Sequence, residues 1–270
     1  MKFGSFVIKL VALNDASLPV SHGRLLHAAF LDLVRQADGE LSEKLHDSNV
    51  KAFTTGTLSI LHPCMCNGKI MIKDRQVVEW RLTSLETNLT NLLDKHKLKG
   101  QIRIGRGLFE IVEIYGSSPI KGLPSVLDMS TIIKYASLLC HNDSLTFKFM
   151  TPTSFRYYDL DYPFPRPDLI FGSLVEKWNV FTDDVAFDVE GIKQITAQYL
   201  IPIQWKGESC RVNITDKKGV TGFIGTYMFS LRQFPVEHRQ VIFTLALFAM
   251  YSGIGRLNAQ GMGKVKLVLE

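Results

Sequence analysis

Residues 251–264 read Tyr-Ser-Gly-Ile-Gly-Arg-Leu-Asn-Ala-Gln-Gly-Met-Gly-Lys, with glycines at 253, 255, 261 and 263 in the pattern G-x-G-x5-G-x-G. Glycine tolerates positive φ and lets main-chain amides come close to a partner, so the spacing suits a loop that meets phosphates, with Arg256 and Lys264 adding charge. The flanks decide the kind of loop. A long apolar helix is expected over 236–251 and a final strand over 264–269, so the order is helix, loop, strand. A dinucleotide fingerprint runs the other way, from strand through glycines into a helix, and no G-x-x-x-x-G-K-[ST] is present for a P-loop. A tight structural connection is the plain alternative.

Working back from the loop, strands are expected at 144–150, 191–204, 209–215 and 220–231, with a helix at 168–180. The first half gives the same outline. Residues 2–13, KFGSFVIKLVAL, are strand-like, and Ser21–Arg35 carries apolar residues at 25, 26, 29, 30 and 33, the spacing of an amphipathic helix, with Pro19 and Ser21 as start signals. A short helical piece over Leu41–Leu45 is followed by strands near 53–61, 69–73 and 76–83, a helix over Leu82–His96 and a strand over 101–115. Strand, helix, two strands, helix, strand is the ferredoxin-like split βαβ arrangement, and it occurs twice. The expected fold class is α+β, two tandem ferredoxin-like (RRM-like) domains with a C-terminal glycine-rich loop. Gly116–Pro124, rich in Pro and Gly, is the linker candidate, which divides the chain into domains 1–125 and 126–270.

The chain has 270 residues with 46% hydrophobic and 21% charged, enough to build a core and too apolar for wholesale disorder. The longest apolar stretch, Val241–Tyr251, is shorter than the roughly 18–20 residues a membrane span needs, and the first residues lack a small-residue cleavage site. No membrane association is expected. Four cysteines, at 64, 66, 140 and 210, give one Cys-x-Cys without a second pair, which fits reduced thiols and a cytoplasmic protein. His62 with Cys64 and Cys66 offers three ligands and no fourth at a recognisable spacing, so no metal and no cofactor is expected.

The net charge of +5 is unevenly spread, with 17 basic and 13 acidic residues in 1–140 against 14 and 13 in the remainder. Lys95, Lys97, Lys99, Arg103 and Arg106 run without an acidic residue between Asp94 and Glu110, and a second acid-free stretch holds Arg256, Lys264 and Lys266. Such patches attract a polyanion in a salt-sensitive way, although on charge alone a solvated loop face is the preferred reading.

Two ferredoxin-like halves ending in G-I-G-R-L-N-A-Q-G-M-G-K-V resemble the repeat-associated (RAMP) superfamily of CRISPR proteins, and more narrowly the sixth Cas family of endoribonucleases. Three further segments carry the resemblance: Leu26-His-Ala-Ala-Phe-Leu with Leu45-His-Asp and Lys51-Ala-Phe-Thr; Phe149-Met-Thr-Pro-Thr-Ser-Phe-Arg156 with Phe171-Gly-Ser-Leu-Val-Glu-Lys-Trp-Asn179; and Gly222-Phe-Ile-Gly-Thr-Tyr227. The resemblance implies an endonuclease of antiviral defense that cuts precursor CRISPR RNA within its repeats. CRISPR repeat RNA would be its partner, with other CRISPR effector subunits as further partners, and monomer and homodimer both stay open. The glycine loop is shared with non-catalytic relatives, so an RNA-binding effector subunit is the rival reading. A nucleotide-binding protein using the loop alone is more remote.

Metal-free RNA cleavage needs a base, an acid and positive charge, and histidine suits both proton roles because its ordinary pKa of about 6.5 leaves both forms available. His27 falls at the border of the apolar face of the first helix, where a hydrogen-bonded structural histidine is the bland reading. His46 sits with Asp47, Ser48 and Asn49 in a segment that reads as a loop. The resemblance implies that His46 and His27 form the acid and base pair, with Lys51 stabilising transition-state charge. Some family members place a Tyr on the first helix, but the position near Leu31 is apolar here, which leaves His27 as the partner. Gly253, Gly255, Arg256, Gly261, Gly263 and Lys264, together with Lys97, Lys99, Arg103 and Arg106, are the candidate RNA-binding residues. His22 is placed at the first turn. His62, His96, His141 and His238 are read as structural or surface residues, Trp178 and Trp205 as packing, Phe223 as core or an RNA-recognition residue, and Tyr157 and Tyr158 as stacking groups or a loop rim.

Overall fold

In the computed structural model, which describes residues 1–182, 185–215 and 218–268, the chain forms two compact units. One comprises residues 2–126 together with 259–261, and the other comprises 127–258 with 262–270 and Met1.

The first unit runs β1 (Lys2–Ala12), β2 (Ala16–Pro19), α1 (Gly23–Ala37), α2 (Gly39–Asp47), β3 (Phe53–Ile60), β4 (Cys64–Cys66), β5 (Lys69–Ile72), β6 (Val77–Ser84), α3 (Thr87–Asp94), β7 (Gln101–Ile104) and β8 (Gly107–Gly116). Its main sheet has the order β3-β6-β1-β8-β7. Taking β1, β3, β6 and β8 as the four framework strands, their order 2-3-1-4 with α1 and α3 as crossovers is the ferredoxin-like topology. Antiparallel register sets Ile8 opposite Trp80 and Ile114, so large apolar groups meet on one face. α1 turns Leu26, Ala29, Phe30 and Leu33 inward, and the Phe30 ring packs against Phe53 at 4.8 Å and edge-on to Trp80 at 5.9 Å. The helix expected from Leu82 begins only at Thr87, because Leu82–Ser84 completes β6 and Glu86 supplies the cap by accepting from the Leu89 amide at 2.7 Å. The strand expected over 101–115 is a hairpin, β7 and β8, turning at Gly105 with φ of +60°.

After β9 (Val126–Asp128), the second unit runs α4 (Met129–Leu139), β10 (Ser144–Thr153), β11 (Phe155–Tyr157), β12 (Leu160–Tyr162), α5 (Pro167–Phe181), α6 (Val189–Tyr199), β13 (Ile201–Asn213), β14 (Gly219–Ser230), α7 (Val236–Ser252) and β15 (Val265–Val268). Its four-stranded sheet, β13-β14-β10-β15, repeats the 2-3-1-4 order. Residue 269, included in the last expected strand, lies outside the described residues. The expected strand at 191–204 is wrong over most of its length: residues 189–199 are helix α6. Its Ile and Thr content favours strands, but Asp188 caps the segment, accepting from the Glu190 amide at 3.1 Å, and Ile192 and Thr196 at i, i+4 bury one face. α7 is apolar all round and is buried accordingly, with Ile242 through Ser252 all inside. Trp178 is a packing residue, edge-on to Phe248 at 5.2 Å. Trp205 is not; it is 58% exposed on β13, stacked on Tyr227 at 5.8 Å. Phe223 is core, and Tyr158 is 83% exposed.

In this unit the glycine-rich loop is clamped from within. Lys177, half-buried on α5, donates to the carbonyl oxygens of Gly253 and Gly255, each at 2.9 Å, and to Asn258 Oδ1 at 2.5 Å. Asn258 Nδ2 in turn donates to Ile254 O at 3.0 Å and Met262 O at 3.2 Å. One turn before Lys177, Ser173 Oγ accepts from the Gly255 amide at 3.2 Å. Burial pulls the Lys177 ammonium down to about 7, with Glu176 opposing. The three oxygens match its three N–H bonds and favour the charged form. Gly253, Gly255 and Gly263 all have φ near +70°, and a Cβ at Gly263 would lie 2.1 Å from Ile254 O. Lys177→Met should leave Gly255 O and Asn258 Oδ1 without a donor, at a cost of about 1–3 kcal/mol each at most, while Gly253 O keeps Ser252 Oγ at 3.0 Å. The expected outcome is a lower melting temperature and faster hydrogen exchange of amides 253–256, ahead of the core strands, read by mass spectrometry.

Candidate active site

His27 lies one turn into α1, half-buried, its rotation fixed by the neighbouring buried Leu26 and Phe30. Its ring stacks on Phe53 of β3, centroids 5.5 Å apart and planes 19° from parallel. Nδ1 lies 3.1 Å from the carbonyl oxygen of Ala259, and Thr55 Oγ1 donates to the same oxygen at 3.2 Å.

His46 is exposed in the last turn of α2 and not in a loop. The helix extends on both sides of the expected 41–45 because Asp38 caps it, accepting from the Leu41 amide at 2.9 Å, and Leu41 and Leu45 bury one face. Lys51 follows between α2 and β3. Its Nζ donates to the His46 carbonyl and, at 2.8 Å, to that of Ser48, closing the segment into a compact turn. The three side chains share one electrostatic neighbourhood. Burial, first, holds His27 below the ordinary histidine value, the bond to Ala259 opposes, and the positive charges of Lys51 and His46 press it further down. Burial also lowers Lys51, with Asp47 opposing. A half-buried imidazole biased toward its neutral form, an exposed imidazole and an ammonium are groups able to accept a proton, deliver one and offset negative charge.

His22 plays a different part. It is buried at the N-cap position of α1, with Nδ1 near the Pro19 and Val20 carbonyls at 3.0 and 3.1 Å and Nε2 accepting from the Leu58 amide at 3.0 Å, so both nitrogens serve the fold. His62, His96, His141 and His238 are exposed. Cys64 and Cys66 are exposed on β4, and no cluster of three His, Cys, Asp or Glu able to hold a metal occurs among the described residues.

The glycine-rich loop differs from the expected phosphate cradle. Its amides are already committed inside the second unit: Gly253 to Ala249 O at 2.9 Å, Ile254 to Gly263 O at 2.8 Å, Arg256 to Ser154 O at 3.0 Å, Gly263 to Pro152 O at 2.9 Å and Lys264 to Thr151 Oγ1 at 2.9 Å. An amide with a good internal acceptor has no hydrogen to offer a phosphate. Arg256 is likewise engaged, paired with Asp161, which also meets Arg156 at 3.4 Å. Lys97, Lys99, Arg103 and Arg106 are exposed around the edge strand β7, at the opposite end of the strand order from β3. Sequence reasoning missed Lys177, Asn258, Thr55 and Ala259. The signal available was Lys177 itself, a cation four residues after Ser173 in the segment Phe171–Asn179.

Two family models match the chain. The CRISPR Cas6 N-terminal domain matches residues 2–121 and the CRISPR-associated endoribonuclease Cas6 matches 147–265. No curated protein matches significantly. Among solved structures, a Cas6 product complex is 20% identical with a TM-score of 0.73, covering 100% of both chains. A Cas6 of Thermus thermophilus is 21% identical with a TM-score of 0.70, covering 98% of each chain. A Cas6-related protein of Pyrococcus furiosus is 15% identical with a TM-score of 0.64, covering 99% of each. Each likeness spans both ferredoxin-like halves, and no described helix is long and apolar enough to cross a membrane. With both halves matched by models of one family and the tandem topology in place, the chain belongs to the CRISPR-associated endoribonuclease Cas6 family.

Proposed function

We propose that this protein cleaves precursor CRISPR RNA within its repeats, without a metal, using His27 as base, His46 as acid and Lys51 as the stabilising cation. The observation that carries the reading is the electrostatic neighbourhood of these three side chains, in which Lys51 and His46 both bear on a His27 held below its ordinary pKa. His27 takes the proton of a ribose 2′ hydroxyl, whose oxygen attacks the adjacent phosphorus. As that bond forms, the bond to the 5′ oxygen breaks, and His46, exposed on the last turn of α2, protonates the leaving oxygen. The products are a 2′,3′-cyclic phosphate and a 5′ hydroxyl. Lys51 spends two of its three N–H bonds on the His46 and Ser48 carbonyls, which leaves the third for the charge that builds on the phosphorane oxygens.

Domain 1–125 carries the reacting groups and domain 126–270 the clamped loop. Exposed Lys97, Lys99, Arg103 and Arg106 supply phosphate contacts, while Arg256 contributes only once it leaves Asp161. The partner is CRISPR repeat RNA, handled in the cytoplasm.

RNA carrying the repeat of the same genome should be cut in EDTA, and a single 2′-deoxy at the cut should abolish cleavage. His27→Ala and His46→Ala should each lower the single-turnover rate by about 10²–10⁴, the usual contribution of a general acid or base, with RNA affinity within a few-fold of wild type. Wild-type rates in both variants would dismiss the assignment, and tight binding without cutting by the unaltered protein would favour a non-catalytic effector subunit. The pH–rate profile should show the sign of the His27 shift. The base works in its neutral form and its pKa is lowered, so the rate should hold as the pH falls to 6.5 and decline only below that ordinary histidine value. RNA affinity should fall steeply with salt, and replacing Lys97 and Lys99 together by Ala should flatten the log–log slope by about one for each phosphate that is no longer neutralised.

A further inference from the structure

We infer that the tip of the glycine-rich loop, residues 259–261, is a positioning device for His27 and that Gly23 and Thr55 hold it in place. The inference rests on the reading of His27 as base and adds the group that orients it. A carbonyl oxygen can only accept, so the 3.1 Å approach of His27 Nδ1 to Ala259 O requires the hydrogen to sit on Nδ1 in the neutral ring. The lone pair is then on Nε2, the nitrogen on the far side of the ring from the loop. A base needs a lone pair directed at the proton it removes, and a second group that fixes tautomer and orientation makes it effective. Here that second group is a main-chain carbonyl.

The carbonyl is itself fixed. Thr55 Oγ1 donates to the same oxygen at 3.2 Å, so the Ala259 carbonyl is shared by the first helix and by β3. The loop tip lies directly on the start of α1, where a Cβ at Gly23 would be 1.9 Å from Gln260 O and 3.2 Å from the Gly261 nitrogen. Gly261 has φ of +87°, and a Cβ there would lie 3.5 Å from Gly23 Cα. No residue with a side chain fits at 23 without moving the tip. The groups facing His27 are Phe53 and Thr55 from β3, Lys51 and His46 from the α2–β3 segment, and Ala259 from the loop. None of them is a carboxylate, so the carbonyl is the acceptor that sets the ring.

The test combines ¹⁵N NMR of the His27 ring with single-turnover cleavage of RNA carrying the repeat of the same genome, at saturating protein. In the wild-type protein at neutral pH, ring shifts should report the Nδ1–H tautomer; an Nε2–H ring overturns the inference even if His27→Ala abolishes cutting. Gly23→Ala, which displaces the tip, should mix the tautomers and slow cleavage at least tenfold with RNA affinity unchanged. Thr55→Val, which removes only the second donor, covers the case in which Gly23→Ala fails to fold, and should shift the ring signals and slow cleavage several-fold. Unchanged rates and unchanged ring shifts in the folded variants overturn the inference. Wild-type cutting by His27→Ala would instead defeat the base assignment, a separate failure that leaves the tautomer measurement to judge the positioning itself.

Discussion

A buried ammonium with three oxygens around it sets the shape of the segment that names this family. Lys177 enters the second unit beside the apolar inner face of α5, where an unpaired charge would be costly, and the loop supplies two main-chain carbonyls and an Asn side chain to receive it. The glycines at 253, 255 and 263 follow from that demand. Gly253 and Gly255 turn their carbonyls toward the Lys177 nitrogen and Gly263 turns its own toward the Ile254 amide, all three on left-handed backbone, and a side chain at any of them would strike Asn258, Ser154 or Ile254. Asn258 is the hinge of the arrangement, accepting from Lys177 on one side and donating to the loop carbonyls on the other.

A loop folded around its own carbonyls is a poor phosphate cradle, because the same turns commit its amides. The glycines bring the main chain close to other parts of this protein. In the first unit the consequence is visible at Gly23, where the absence of a Cβ admits the Gln260 carbonyl, and at His27, whose ring finds its acceptor in Ala259. The exposed lysines and arginines at 97–106 are not matched by nearby carboxylates in sequence, whereas Arg256 is neutralised by Asp161.

The histidine site illustrates how weakly a side chain's neighbourhood is written in its own helix. His27 at the edge of an apolar stripe has the same periodicity as a structural histidine, and His22, five residues earlier, proves to be one, with both ring nitrogens tied to main chain. What separates them is that His22 is buried whereas His27 is half-buried in the company of Lys51 and His46, which reaches it only when α2 turns the chain back toward β3.

Much of the architecture was legible from the sequence. The strand-like run at 2–13, the amphipathic spacing after Ser21, the apolar 236–251 helix and the linker glycines and prolines give both βαββαβ outlines, because apolar runs and helical spacing are local properties of the chain. Helix α6 was not, since β-branched residues at 192, 195 and 196 favour a strand until the Asp188 cap and the packing of one face override them. Nor was the extension of α2 that places His46 on a helix, or the exposure of Trp205. Residue types and the order of elements fixed which chemistry was available: two histidines, a lysine and a glycine loop in a family-like pattern. Only the tertiary structure decided that residues 232 positions apart share a hydrogen bond, and that the loop's amides face inward, because hydrogen-bond partners distant in sequence are chosen by packing and not by local propensity.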